Sequence, residues 1–135
     1  MDQNKLIVAV DFDGTLCIEN YPGAGREHWG LIHALQELRI EGKIYLILWT
    51  CRNGSDLEFA VKWCKERGLI FDAVNENLPW VVQKYGGDTR KVSADIYIDD
   101  FAESYNSITD CGVESVNWIR NRIMEKKPHR GEKEK

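Results

Sequence analysis

Two short apolar runs constrain this chain more than anything else in it: Leu6 to Val10, and Ile44 to Trp49. Each has the length of a strand, is bounded by polar or turn residues, and lacks the apolar/polar alternation of a strand with one wet face. Strands apolar on both faces belong inside a parallel sheet that helices cover. A third candidate is Ala94 to Ile98, and Leu69 to Val74 is a weaker fourth. Between them, Leu31, Leu35 and Leu38 recur at i, i+4, i+7 before Gly42, and Leu57, Val61 and Cys64 do the same before Gly68. That spacing lines one face of a helix and stops at a residue suited to a helix C-terminus. Strand and helix alternate, which predicts an α/β fold with a parallel sheet and a binding crevice at the carboxyl ends of its strands.

A last helix is predicted over Val113 to Met124, with Val116, Ile119 and Ile123 on one face. Residues 126–135 hold five Lys or Arg, two Glu, one Pro and one Gly with no apolar residue, so a disordered charged tail is expected after a single domain spanning 1–125. A length of 135 residues suits one domain, and 43% hydrophobic residues suffice for a core. Eighteen Lys plus Arg against 22 Asp plus Glu give a net charge of −4, so the bulk composition carries no signal for nucleic acid or an anionic membrane. The apolar run at Leu6 is too short for a signal peptide or a membrane span, which leads us to expect a soluble, cytoplasmic protein with no membrane partner. Cys17, Cys51, Cys64 and Cys111 lie far apart, without a C-x-x-C pair or a His at zinc-like spacing, and read as reduced thiols.

Chemistry is concentrated where the strands end. The first closes on Asp11-Phe12-Asp13-Gly14-Thr15-Leu16. At ~5–7% usage per residue type, D-x-D-G-T arises by chance on the order of once in a thousand chains of this length. The second strand ends in Leu48-Trp49-Thr50, the third clear one in Tyr97-Ile98-Asp99-Asp100, and Lys91 precedes Asp99 by eight residues. A Thr at a strand end is ordinarily a cap and a Lys ordinarily solvated; their order along the chain, each at or just before a strand end, is what singles them out.

In these residues the chain resembles the haloacid dehalogenase (HAD) superfamily of phosphotransferases, whose four motifs match Asp11 to Leu16, Thr50, Lys91 and Asp99-Asp100 in order, over residues 6 to about 110. The resemblance implies a three-layer, Rossmann-like parallel sheet with helices on both faces. It also implies that Asp11 attacks phosphorus, Asp13 is the general acid and base, Thr50 and Lys91 hold the phosphoryl oxygens, and Mg²⁺ is bound by Asp11, Asp13, Asp99 and Asp100. Lys84, in Gln83-Lys84-Tyr85-Gly86-Gly87, rivals Lys91 for the phosphate; Lys91 is preferred because it immediately precedes the strand with the acidic pair. One of Asp99 and Asp100 is expected to reach the metal through water.

The residue types fit those roles. Like charges ~4 Å apart repel by about 4 kcal/mol at an effective dielectric of 20, so four converging carboxylates do not serve stability. A divalent cation and Lys91 would make the cluster tolerable, and an all-oxygen site awaiting a phosphate suits Mg²⁺. A carboxylate could then approach a phosphate dianion and split one hard hydrolysis into two easier steps. The expected activity is that of a Mg²⁺-dependent phosphatase acting on a small phosphorylated metabolite or a larger phosphorylated substrate. A mutase or other phosphotransferase is the alternative. A receiver-type signalling module also combines these groups, but carries its acceptor Asp on a middle strand, whereas here D-x-D-G-T follows the first.

Phosphatases of this superfamily often carry a cap domain, for which neither the gap from Leu16 to Thr50 nor that from Thr50 to Lys91 leaves room. Selectivity must then come from the loop Cys17 to Trp29, the pair Cys51-Arg52, and Asn75 to Trp80. Arg52 is a candidate to grip a second anionic group of the substrate, or else to cap or cover the following helix. Tyr21, His28 and Trp29 are candidates to stack on a sugar or base, or to fold their loop back on the body. Cys51 is no tyrosine-phosphatase nucleophile, because the Arg that such a loop needs six residues later is Leu57. His33 and His129 are expected to have no catalytic part. An uncapped site needs a large substrate or a second copy to close it, the latter with Tyr21, Trp29 or Trp80 as anchors.

Overall fold

A computed structural model describes residues 5–85, 93–99 and 113–126. Their elements run β1 (Leu6–Val10), α1 (Trp29–Ile40), β2 (Ile44–Leu48), α2 (Gly54–Glu66), β3 (Ala73–Val74), α3 (Pro79–Tyr85), β4 (Ile96–Ile98) and α4 (Val113–Met124). The four strands form one sheet in the order β3-β2-β1-β4, and every pairing is parallel, as their uninterrupted apolar character requires. β1 is paired along its whole length, from Leu6 opposite Ile44 to Val10 opposite Leu48, and all five of its residues are buried. No helix among the described residues is long and apolar enough to cross a membrane.

Alternating side chains send the two faces of the sheet into two cores. Leu6, Val8, Val10, Ile44, Leu46 and Leu48 pack with α1, α2 and α4 on one side. Ile7, Ala9, Ile47 and Ala73 meet Leu78, Trp80 and Val81, at the start of α3, on the other. The result is a three-layer, Rossmann-like α/β fold. Gly42 and Gly68, with φ of +78° and +86°, take the left-handed turn that follows α1 and α2.

Several expectations need adjustment. β3 and β4 are shorter than the apolar runs around them. The buried line of α2 is Ala60, Trp63 and Cys64, with Leu57 and Val61 only partly covered, because the Trp63 ring packs edge-on against Phe12 at 5.3 Å and draws that side of the helix inward. α3 stands where the sequence pattern predicts only a connecting segment. Cys17, Cys51 and Cys64 are free thiols, as expected; Cys111, His129 and the tail from 127 onward lie outside the described residues.

Candidate functional site

The carboxyl ends of the four strands bring Asn75, Thr50, Asp11 and Asp99 into one row, in sheet order. Asn75, Asp11 and Asp99 each follow the last residue of their strand, and Thr50 comes two residues after β2. Backbone hydrogen bonds continue the ladder past the strands and fix this row. Asn75 N–H donates to Leu48 O at 2.7 Å, Trp49 N–H to Val10 O at 2.9 Å, and Asp11 N–H to Ile98 O at 2.9 Å. Asp11 lies between its two neighbours, half-buried, with its Oδ1 accepting from Phe12 N–H at 2.7 Å. Beyond it the chain turns at once: Thr15 and Leu16 N–H both donate to Phe12 O, and Gly14 supplies the φ of +78° that the turn requires.

Thr50 is held from the β3 side. Its N–H donates to Asn75 Oδ1 at 2.7 Å, while its Oγ1 accepts from Arg52 N–H at 3.2 Å. Asn75 itself has a φ of +54°, a left-handed backbone that Asn tolerates better than most residues. Within Asn75 to Trp80, Asn75 therefore supports Thr50, whereas Trp80 is 7% exposed, lies in the core and is corrected as an interface anchor.

Asp13 and Arg52 form a bidentate pair. Arg52 Nε donates to Asp13 Oδ2 at 2.8 Å and Nη2 to Oδ1 at 2.7 Å. The remaining N–H groups go to Pro22 O at 2.9 Å, Gly23 O at 2.7 Å and Asp56 O at 3.3 Å. The cation also lies over the rings of Phe12 and Tyr21 at 4.8 and 4.9 Å. Its side chain is 1% exposed, against 23% for Asp13. Donating to the Asp13 carboxylate raises the guanidinium pKa above its usual value, so it stays charged.

This geometry corrects the expectation that Arg52 presents its guanidinium to a substrate anion: a guanidinium has five N–H donors, and all five have partners within the protein. The bond to Asp56 O, in the first turn of α2, matches the alternative reading of a residue covering that helix.

Other expected residues divide clearly. Tyr21 is 55% exposed and its hydroxyl donates to an Asp56 carboxylate oxygen, which pushes the phenol pKa up, so its ring lies at the loop surface above Arg52. His28 is corrected as a stacking residue: it is buried and caps α1, its Nδ1 accepting from Leu31 N–H at 3.0 Å. Trp29 is half-buried against the core and stacks on His33 at 4.0 Å. Asp99 is exposed at the end of β4. Lys91 and Asp100 lie outside the described residues, and Lys84 is placed in α3 by its backbone.

For a metal, the donor chemistry is suitable, and among the described residues the donor count is short. Asp11 and Asp99 offer hard carboxylate oxygens on adjacent strand ends. Asp13, the other expected ligand beside β1, has each carboxylate oxygen hydrogen-bonded to Arg52. Among the described residues no three His, Cys, Asp or Glu side chains form a group able to hold a metal ion.

No protein-family model matches the chain, and no curated protein does. A solved structure does: a conserved protein coded by a locus from Bacteroides thetaiotaomicron is 36% identical to it, with a TM-score of 0.68, over 90% of this chain and 92% of that one. The two belong to one family. That relative is described as a conserved protein and no more, so the kinship carries the α/β fold, and chemistry must be argued from the site.

Proposed function

We propose that the protein is a Mg²⁺-dependent phosphatase that hydrolyses a phosphate monoester through an aspartyl-phosphate on Asp11. One observation carries the reading: Asp11 stands at the middle of the row, flanked by Thr50 and Asp99 on the adjoining ends of parallel strands, with its backbone fixed to Ile98. A nucleophile there has a hydroxyl on one side and an acidic metal ligand on the other. Asp11 attacks phosphorus, the Thr50 hydroxyl and Lys91 bind the transferred oxygens, and Asp13 gives a proton to the leaving oxygen and then takes one from the water that cleaves Asp11. Asp13 accepts one Arg52 N–H on each oxygen, which leaves a second lone pair on each oxygen for the proton it carries. Mg²⁺, held by Asp11 and the Asp99-Asp100 pair, would supply charge that lets a carboxylate approach a phosphate dianion.

The test is hydrolysis of p-nitrophenyl phosphate by the purified protein with Mg²⁺ and with excess chelator, beside Asp11→Asn. Expected are turnover only with the metal and a loss of more than ~95% in a folded variant, since the amide keeps the shape and removes the nucleophile. Full activity in chelator overturns the metal role; a variant retaining more than a few per cent overturns the nucleophile.

A further inference from the structure

Arg52 joins several parts of this site, and nothing in the proposed reaction uses it. Its five donors reach Asp13 from one side and the carbonyls of Pro22, Gly23 and Asp56 from the other, across sequence separations of 39, 30, 29 and 4 residues. A buried guanidinium needs a counter-ion and acceptors for its donors, and here the counter-ion is the carboxylate in the turn after β1 while two of the acceptors are carbonyls of the loop beside the site. In that loop Ile18, Glu19, Asn20, Tyr21 and Pro22 are all exposed, and Ile18 is bonded to the far arm through Arg26 O at 2.8 Å and Gly25 N–H at 2.9 Å. We propose that Arg52 is a positioning residue, which sets the orientation of Asp13 and locks the loop 18–27 to it, so that the acid–base group and the loop beside the site move as one unit. This rests on the phosphatase reading, in which Asp13 transfers the proton.

Lysine cannot substitute. An ammonium has three donors and no planar fork, so Arg52→Lys gives up at least two of five bonds and the two-point grip on Asp13 while keeping the charge.

The experiment compares the full-length parent with Arg52→Lys in two assays, with Arg52→Gln taking its place if urea unfolding shows that the lysine variant does not fold. The first assay measures the burst of nitrophenol from p-nitrophenyl phosphate and the turnover of glycerol 2-phosphate. A good leaving group needs no proton and an alkoxide does, so a misdirected Asp13 should slow the alkyl phosphate at least ~10-fold more than the aryl burst. An arginine that only supports the fold would lower both by one factor, and that result overturns the positioning of Asp13. The second assay is amide hydrogen exchange: residues 18–27 should exchange faster in the variant while β1 and α1 stay protected, and unchanged exchange there overturns the link to the loop. A parent that turns over neither phosphate overturns the proposed function and with it the role at Asp13, whereas the exchange result still decides the loop.

Discussion

Asp95 is a carboxylate buried to 6% exposure at the end of the sheet opposite the site, and its removal should be felt in stability before anything else. It sits one residue before β4 and makes a reciprocal clasp with β1: Asp95 N–H donates to Ile7 O at 2.8 Å and Ile7 N–H to Asp95 Oδ2 at 2.8 Å. β4 has only three residues, none of them fully buried, so this clasp does much to fix the pairing of Val8 with Ile96 that runs on to Asp99. In Asp95→Ala the Ile7 N–H, on a residue 2% exposed, loses its acceptor. An unsatisfied buried donor costs about 1–3 kcal/mol, and relief from desolvating the carboxylate offsets part of that, so a loss of about 1–2 kcal/mol is expected. Asp95→Asn keeps an oxygen and exchanges a charged acceptor for a neutral one, and should lose roughly half as much. For a domain of this size each kcal/mol lowers Tm by ~3–5 °C, so Asp95→Ala should melt roughly 3–10 °C below the parent. Urea unfolding followed by tryptophan fluorescence measures the difference, with an unchanged slope placing it in the native state. An alanine variant within ~0.3 kcal/mol of the parent, or an asparagine variant no better than alanine, would refute the reasoning.

Two other expectations follow from the same geometry. Asp13→Asn should still release nitrophenol slowly from p-nitrophenyl phosphate while its turnover of alkyl phosphates falls much further, at least ~10-fold more; equal losses on the two substrates would contradict an acid role for Asp13. Burial pushes the Cys17 thiol from its usual 9.0 up to about 11 and the Cys64 thiol up to about 12, so folding favours the protonated forms. Their contribution is intact below pH 9 and is lost as pH rises through the folded-state values, by up to about 1.4 kcal/mol per pH unit for each thiol. Unfolding free energies at pH 8 and 10.5 should therefore fall less steeply in Cys64→Ala than in the parent, and equal slopes would count against the burial argument.

What the sequence makes legible here depends on the range of the interactions involved. The limits of β1 can be read to the residue because five apolar residues buried between two layers need no partner to announce them, and those of α4 because Val116, Ile119 and Ile123 keep helical spacing. α3 escapes because seven residues are too few to show a period and Pro79 reads as a breaker, although a first-turn proline leaves no helix bond unmade. Thr50, Asp11 and Asp99 are legible because each lies at or near the end of its own apolar run, whereas Asn75 follows only the weak run Leu69 to Val74. The setting of those residues is not: Arg52 meets Asp13 across 39 positions and Ile7 meets Asp95 across 88, and no local pattern marks either partner. His28 misleads for the opposite reason, since an imidazole capping the helix immediately after it looks in sequence like any loop aromatic.

Asn75 combines both kinds of information, and three variants separate them. Its backbone is left-handed, at a φ of +54°, and its side chain donates to Arg52 O at 3.4 Å while accepting from Thr50 N–H at 2.7 Å. Asn75→Gly keeps the backbone conformation and loses both side-chain bonds. Asn75→Ala loses the same bonds and adds the cost of placing a Cβ in the left-handed region, so it should be less stable than the glycine variant by about 1 kcal/mol. Asn75→Asp keeps the acceptor for Thr50 and loses only the weaker donor. If the side chain serves the site by holding Thr50, then phosphatase turnover should drop several-fold, and equally, in the glycine and alanine variants despite their different stabilities, and should be largely retained in the aspartate variant. Activity that instead tracks urea stability across all three would mean that Asn75 matters only as the turn after β3, and that Thr50 is oriented by its own strand end.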